Sequence, residues 1–279
     1  MGNKKNELLA LDLDGTTLRD NNTLSPVVRQ AIETAVQNGV EVVVASGRPY
    51  AMMPQSILSI KGIDYAVTSN GAAVNDCSGK RIHSNLLKED EVLKYLEITA
   101  NYDLIMEAFI DGKTYTDKRY FDNPIKYGCG EAYFDYVRSS HGSVENMRKF
   151  IYDHRCELDS IEFVCVDKKM RESIRRQIED NTTNFYVTSS SENFVEIMDS
   201  NASKSNALSW LCQRLGISLQ NTSACGNADN DADMLKLSGL GAAVKNATEL
   251  CKINADIIVP SNNDDGVANL IGRILKNRT

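Results

Sequence analysis

Five residues, Asp12-Leu13-Asp14-Gly15-Thr16, directly after the apolar run Leu8-Leu9-Ala10-Leu11, constrain this chain more than anything else in it. Such a run reads as a buried strand, here over 8–13. Two carboxylates at i and i+2 on a strand point to one face. In open α/β sheets the ligand crevice lies beyond the carboxyl ends of the strands. Like charges held that close need a cation or a shared proton, and hard oxygen ligands suit Mg²⁺. Gly15 and Thr16 then turn the chain and leave backbone N–H groups to face an anion. A nucleophile, a candidate acid/base, a metal site and a phosphate cradle thus fall within five residues.

The pattern around this segment is that of an α/β chain. Ser25-Pro26 reads as a helix N-cap followed by Pro at the first helical position, and that helix stops at Gly39. Val40–Ala45 is a β-branched strand that ends at Ser46-Gly47-Arg48-Pro49. A helix over 50–60 is interrupted by Pro54, and Tyr65–Thr68 is a third strand, ending at Ser69-Asn70-Gly71. Continuous apolar strands alternating with helices predict a parallel sheet covered on both faces, hence a Rossmann-like, doubly wound core. A hairpin is expected around Ser78-Gly79 and a helix over 88–101.

From there the pattern changes. Asp111-Gly112 marks a hairpin between 104–110 and 113–116. Residues 117–142 read as irregular, with Arg119, Tyr120, Lys126 and Tyr127 as candidates for contact with a leaving group. Helix 144–155, strand 160–166, helix 169–181 and strand 184–188 complete an inserted α/β cap domain, set at 86–189. The core, set at 1–85 and 190–279, resumes with a strand at Phe194–Met198 and a helix at Lys204–Leu215. Strand Ser223–Cys225, helix 230–237, strands Ala242–Val244 and Ile257–Val259, and helix 265–275 follow.

Composition narrows the partners. A formal charge of −7 over 279 residues argues against nucleic acid, whose phosphates need a basic surface. It leaves room for a small phosphorylated metabolite, met locally by one Lys, one Arg and a metal. Seven cysteines without a Cys-x-x-Cys pair indicate neither a zinc site nor a disulfide framework. That usage fits a reducing, cytoplasmic setting. No apolar run reaches the ~20 residues of a membrane span, and residues 1–6 read as a solvated tail. Oligomeric state is not legible.

Four separated segments carry polar groups at strand ends or helix starts. They are Asp12/Asp14, Ser46-Gly47-Arg48, Lys204 and Gly226–Asp231. Lys204 runs against the helix dipole, which favours acids at a helix start. In this order the segments resemble the four motifs of the haloacid dehalogenase superfamily, closest to its Cof-type phosphatases with a large inserted α/β cap (C2B-type). Ser69-Asn70-Gly71 and Glu196-Ile197 are also similar to that group, and the likeness covers essentially the whole chain.

The resemblance implies Mg²⁺-dependent hydrolysis of small phosphomonoesters through an aspartyl-phosphate. Asp12 would be the nucleophile, Asp14 the acid and then the base, with Ser46 and Lys204 completing the catalytic group. Gly15, Thr16, Gly47, Arg48, Asn70 and Asn230 would contact or frame the substrate. Asp12, the backbone carbonyl of Asp14, Asn227 and Asp231 (through water) would hold the metal. Two other readings are a phosphotransferase or mutase on the same site, and a non-catalytic binder of a phosphorylated metabolite.

One position departs from the pattern. The fourth motif usually reads Gly-Asp-x-x-Asn-Asp, and the metal-ligating Asp is here Asn227. An amide oxygen can ligate but brings no charge, so weaker Mg²⁺ binding is expected. Asn227→Asp should lower the Mg²⁺ concentration for half-maximal activity by about tenfold, read from Mg²⁺ titrations; an unchanged or higher requirement would contradict this.

Overall fold

A computed structural model describes residues 7–130, 134–189 and 193–277; the expected N-terminal tail lies outside them. The strands in chain order are β1 (Leu8–Leu11), β2 (Glu41–Ala45), β3 (Tyr65–Thr68), β4 (Ala73–Asp76) and β5 (Arg81–Ser84). They continue with β6 (Ile105–Ile110), β7 (Lys113–Asp117), β8 (His141–Val144), β9 (Ser160–Val164), β10 (Phe185–Thr188) and β11 (Phe194–Asp199). The last three are β12 (Thr222–Gly226), β13 (Leu240–Val244) and β14 (Ile257–Val259). Two compact units form, one from the chain up to His83 together with Ser203 onward, the other from Ser84–Ala202.

The first unit is built on a sheet of order β14-β13-β12-β1-β2-β3-β4-β5. From β14 to β3 it is parallel, and β4 returns antiparallel to β3. Strand order reverses at β1, which pairs with β2 on one side and β12 on the other. Leu11 aligns with Val44 and Cys225, so Asp12, Ser46 and Gly226 leave the sheet at one carboxyl edge, where such sheets bind ligands. Leu8, Leu9, Ala10 and Leu11 are all buried, as a strand covered on both faces must be. Helix Pro26–Gln37 packs with Gly266–Lys276, and Lys204–Leu215 with Ala232–Leu237. Pro26–Gln37 begins as its sequence requires, with Ser25 Oγ accepting from the N–H groups of Val27 and Val28. Between Pro49 and Ser59 the expected helix is reduced to a turn at Tyr50–Met52 and one helical turn at Gln55–Leu58, because Pro54 cannot continue the ladder.

The second unit carries a sheet of order β10-β11-β9-β6-β7-β8, antiparallel except for β7 with β8. Here the structure corrects the sequence reading. Phe194–Met198 forms a strand, but as β11 it pairs with β9 and β10, not with the first sheet. Val195 and Ile197 pack into the core of the second unit. The stretch 117–142 is also more regular than expected, with helices at Lys118–Asp122 and Phe134–Ser140; residues 131–133 lie outside the described set. Arg119 is tied to Asp117 and Asp103 and Tyr120 is buried in a small apolar cluster, so these two serve the fold of this segment. Val144 ends β8, and the following helix runs only from Met147 to Asp153. No helix of the described residues is long and apolar enough to cross a membrane.

One face of the second sheet is apolar, with Met106, Ala108, Ile161, Phe163, Val195 and Ile197 packed against Val92, Tyr95, Ile151 and Ile174. The other carries a cross-strand row in which Glu107 is opposite Thr116 and Glu162, Glu162 opposite Glu196, and Glu196 opposite Thr188. Glu107 is 3% exposed and Glu162 8%. Burial pushes the Glu107 carboxyl up to about 7. Burial, followed by the charges of Glu107 and Glu196, raises Glu162 well above the carboxylate range. His141 Nε2 lies 3.7 Å from Glu107 Oε1, but burial lowers its pKa to about 4, so at neutral pH it brings no charge. The Tyr120 phenol, raised by burial and by Glu107, stays protonated.

A carboxyl whose pKa is raised by folding favours the folded state most below its unfolded value near 4.5, and that contribution is lost as pH rises through about 7. Urea unfolding should therefore show stability falling across this window. Glu107→Gln should flatten the slope and gain up to about 3 kcal/mol at alkaline pH; identical slopes for both proteins would contradict the assignment.

Candidate active site

At the carboxyl edge of the first sheet, one buried cation holds two buried carboxylates. Lys204 Nζ donates to Asp12 Oδ1 and to Asp231 Oδ1, each at 2.7 Å. Lys204 is 2% exposed, Asp12 5% and Asp231 0%. Asp12 follows the last residue of β1. Asp231 lies in the turn after β12, and Lys204 opens the helix Lys204–Leu215, which Ser203 caps through Asn206 N–H. Asp231 Oδ2 accepts from the backbone N–H groups of Asn227 and Ala228, so its carboxylate also closes the turn that carries Asn227. Burial, then the charge of Asp231, push the Asp12 carboxyl up to about 7 against the pull of Lys204 and Thr16. Burial works against the Lys204 ammonium, but the two carboxylates outweigh it and its pKa lies above that of an ordinary lysine.

Asp12 and Asp14 do not share a face. The strand ends at Leu11 rather than at 13, and the chain enters a wide turn with Gly15 at φ 76°, a conformation glycine adopts freely. Leu18 N–H donates to Leu13 O across it, and Thr17 Oγ1 donates to Asp12 O. Asp14 is thereby swung outward. Its carboxylate, about half exposed, takes both arms of Arg48, Nε to Oδ2 at 2.8 Å and Nη2 to Oδ1 at 2.5 Å. The repulsion expected between these two carboxylates is thus avoided by the backbone, and each finds its own cation.

What remains beside Asp12 from Asp14 is its carbonyl. The terminal amide of Asn227 lies 2.9 Å from Asp12 Oδ2, 2.8 Å from Asp14 O and 2.7 Å from Thr16 Oγ1. Among the described residues no group of three or more His, Cys, Asp or Glu side chains is arranged to hold a metal. A site here draws instead on one carboxylate oxygen, one backbone carbonyl and one amide oxygen. Ligands at the Mg–O distance of about 2.0–2.1 Å in octahedral geometry stand about 2.9 Å apart, which matches both spacings from Asn227. All three donors are hard oxygens, so the residues present fit Mg²⁺. Asp229 does not replace the missing carboxylate; it accepts from Thr248 Oγ1 at 2.7 Å.

Ser46 follows β2, is buried, and its Oγ accepts from Arg48 N–H. The Ser46–Arg48 turn is pinned to the Ser69–Gly71 turn by Asn70 N–H to Ser46 O and Ser69 N–H to Arg48 O. Gly47 lies against Asn70; a Cβ on Gly47 would stand 3.0 Å from Asn70 Oδ1. That oxygen accepts from Asn230 Nδ2 at 2.9 Å, and Asn230 Oδ1 is buried with no hydrogen-bond partner. The structure thus brings Asp12, Thr16, Lys204, Asn227 and Asp231 into one cluster, with Ser46, Gly47, Asn70 and Asn230 in a second that Arg48 links to Asp14. Sequence reasoning missed Asn22 and Asn246. Asn22 accepts from Arg48 Nη2, and Asn246 donates to Gly15 O at 2.8 Å. Neither lies in a motif, and no local pattern marks them.

The haloacid dehalogenase-like hydrolase family matches residues 9–271 of this chain. The phosphatase YwpJ of Bacillus subtilis is 28% identical over 286 residues, covering 96% of this chain and 100% of that protein. The 5-amino-6-(5-phospho-D-ribitylamino)uracil phosphatase YcsE of the same organism is 28% identical over 265 residues, covering 95% of this chain and 94% of that protein. Among solved structures, the sugar phosphatase BT4131 of HAD subclass IIB superposes with a TM-score of 0.80 at 18% identity, over 96% of this chain and 98% of that one; at that identity the likeness speaks for the fold.

The clamp itself is testable without substrate. Lys204→Met keeps the apolar stem but leaves two buried carboxylates without their cation. It should cost about 3–5 kcal/mol in urea unfolding at neutral pH, and a loss below about 1 kcal/mol would show that the pair is not held as described.

Proposed function

The chain belongs to the haloacid dehalogenase-like hydrolases, and on that premise we propose that it is a Mg²⁺-dependent phosphatase of small phosphomonoesters, sugar phosphates among them. The observation that carries this reading is the Asp12 carboxylate. It is buried, fixed at Oδ1 by Lys204 and open at Oδ2 toward Asp14 O and Asn227. A nucleophile held rigidly beside a fixed ammonium is what phosphoryl transfer needs, since that chemistry depends mainly on positioning and charge stabilisation.

Asp12 attacks phosphorus and the bond to the ester oxygen breaks, leaving an aspartyl-phosphate. Protonated Asp14 gives its proton to the departing oxygen, then takes one from the water that attacks phosphorus. That second attack releases inorganic phosphate and restores Asp12. Lys204 offsets the charge gathering on the carboxylate and on the transferring oxygens, and the Ser46 hydroxyl donates to a phosphoryl oxygen. Asp12 Oδ2, Asp14 O and Asn227 Oδ1 are the groups that would hold Mg²⁺, which supplies neutralisation of the phosphate charge facing Asp12. Arg48 sets the direction of the Asp14 carboxylate through its two-armed contact.

Phosphate release from p-nitrophenyl phosphate and a panel of sugar phosphates tests this. Asp12→Asn should abolish release. Asp14→Asn should slow sugar phosphates at least ~100-fold but p-nitrophenyl phosphate less, because a nitrophenolate leaves without a proton. Folded wild-type protein that releases no phosphate from any ester at saturating Mg²⁺ would overturn the proposal. Isomeric phosphate esters in place of inorganic phosphate would instead identify a mutase.

A further inference from the structure

The Asn227 side chain presents one terminal atom to three oxygens, Asp12 Oδ2, Asp14 O and Thr16 Oγ1, at 2.9, 2.8 and 2.7 Å. An amide has two ends, and they do opposite things here. With its oxygen inward it accepts from the Thr16 hydroxyl, but Asp12 Oδ2 and Asp14 O then face it at hydrogen-bond distance with nothing positive between. With its nitrogen inward, the amide hydrogens find acceptors in these oxygens. Oxygens held at these distances need a cation or a shared proton between them; an NH₂ among oxygens needs neither. The amide is also packed onto the turn, since a Cβ at Gly15 would lie 2.7 Å from its other terminal atom.

We infer that Asn227 is a built-in substitute for the metal charge. Its NH₂ satisfies Asp12 and Asp14 in the metal-free protein, and its oxygen turns inward when Mg²⁺ binds. Metal uptake is then an exchange of hydrogen bonds for a cation rather than the filling of a repulsive site. The inference rests on the reading that Mg²⁺ binds at these oxygens, and extends it to the metal-free state. The charge balance agrees. Asp12 and Asp231 with Lys204 leave one negative charge in the buried cluster, and the Asn227 amide adds none. A carboxylate at 227 would add a second and could not donate to Asp12.

Two measurements on the full chain decide the matter. In wild type with EDTA, ¹⁵N spectra should show one side-chain NH₂ pair, absent from Asn227→Asp, whose hydrogens exchange at least ~10-fold more slowly than those of exposed asparagines. MgCl₂ should shift this pair and remove its protection. Thermal unfolding should show a wild-type melting temperature that rises less from EDTA to MgCl₂ than that of Asn227→Asp. Asn227→Asp should melt well below wild type in EDTA and gain strongly with MgCl₂; a variant that folds only with Mg²⁺ is the extreme of the same result. An unprotected Asn227 NH₂ pair in EDTA overturns the inference, as does an Asn227→Asp protein as stable as wild type in EDTA. If the pair is protected but MgCl₂ alters neither protein, the metal reading fails and the exchange fails with it. If MgCl₂ binds wild type without moving the pair, only the exchange fails.

Discussion

The Lys204 ammonium, held between Asp12 and Asp231, is the interaction on which the first unit's carboxyl edge depends. It ties together three stretches of chain that meet nowhere else in sequence: the end of β1, the turn after β12, and the start of a helix. A buried charge must be paired or it is expelled, so this triad either forms with good geometry or the edge does not close. The helix start is correspondingly fixed. Gly71, at φ +97°, lies so close that a Cβ there would stand 2.2 Å from Ser203 O, and the Ser69–Gly71 turn is itself pinned to Ser46 and Arg48. Lys204 sits at the helix end where the dipole disfavours a cation. Two carboxylates at 2.7 Å outweigh that partial charge, so a placement that looks wrong along the helix is right across the sheet.

The parts of the fold legible in the sequence are those where one local signal dominates. β1, β2 and β3 announce themselves as apolar runs stopped by polar turns, and Ser25-Pro26 begins a helix by capping chemistry alone. β11 was misplaced because Phe194-Val195-Glu196-Ile197-Met198 fits the half-buried edge of one sheet as well as the interior of another. Only its pairing with β9 and β10 decides, and pairing is non-local. Arg119 and Tyr120 looked like ligand contacts because charged and aromatic residues in an irregular stretch carry no other signal. The Asp103 partner of Arg119, and the apolar cluster around Ile105 that takes Tyr120, become visible only when the strands are aligned.

The same limit applied at the site. The residue types and their spacing pointed to one constellation, and the structure clusters them. Period-2 alternation, however, would place Asp12 and Asp14 on one face only while the strand lasts. β1 stops at Leu11, and the glycine turn sends one carboxylate inward and the other out. Asn22 and Asn246 carried no signal at all. Their contacts are to Arg48 and to the Gly15 carbonyl, and a side chain that supports a turn from a distant loop leaves no trace in local pattern.

Splitting the two carboxylates gives one turn two carboxylate environments, one buried and one half exposed. Asp12 is buried and held by an ammonium, which suits the nucleophile of the proposed reaction. Asp14 is half exposed at the rim and fixed in direction by a guanidinium fork, which keeps the proposed acid and base within reach of water. The Asp14 backbone stays behind as a neutral oxygen donor beside Asp12, so no third carboxylate crowds the buried cluster. Asn227 extends that economy of charge. With an amide where a carboxylate would add a second negative charge, the cluster around Lys204 keeps one, and on the proposed reading affinity for a divalent cation is exchanged for a metal-free state that holds itself together.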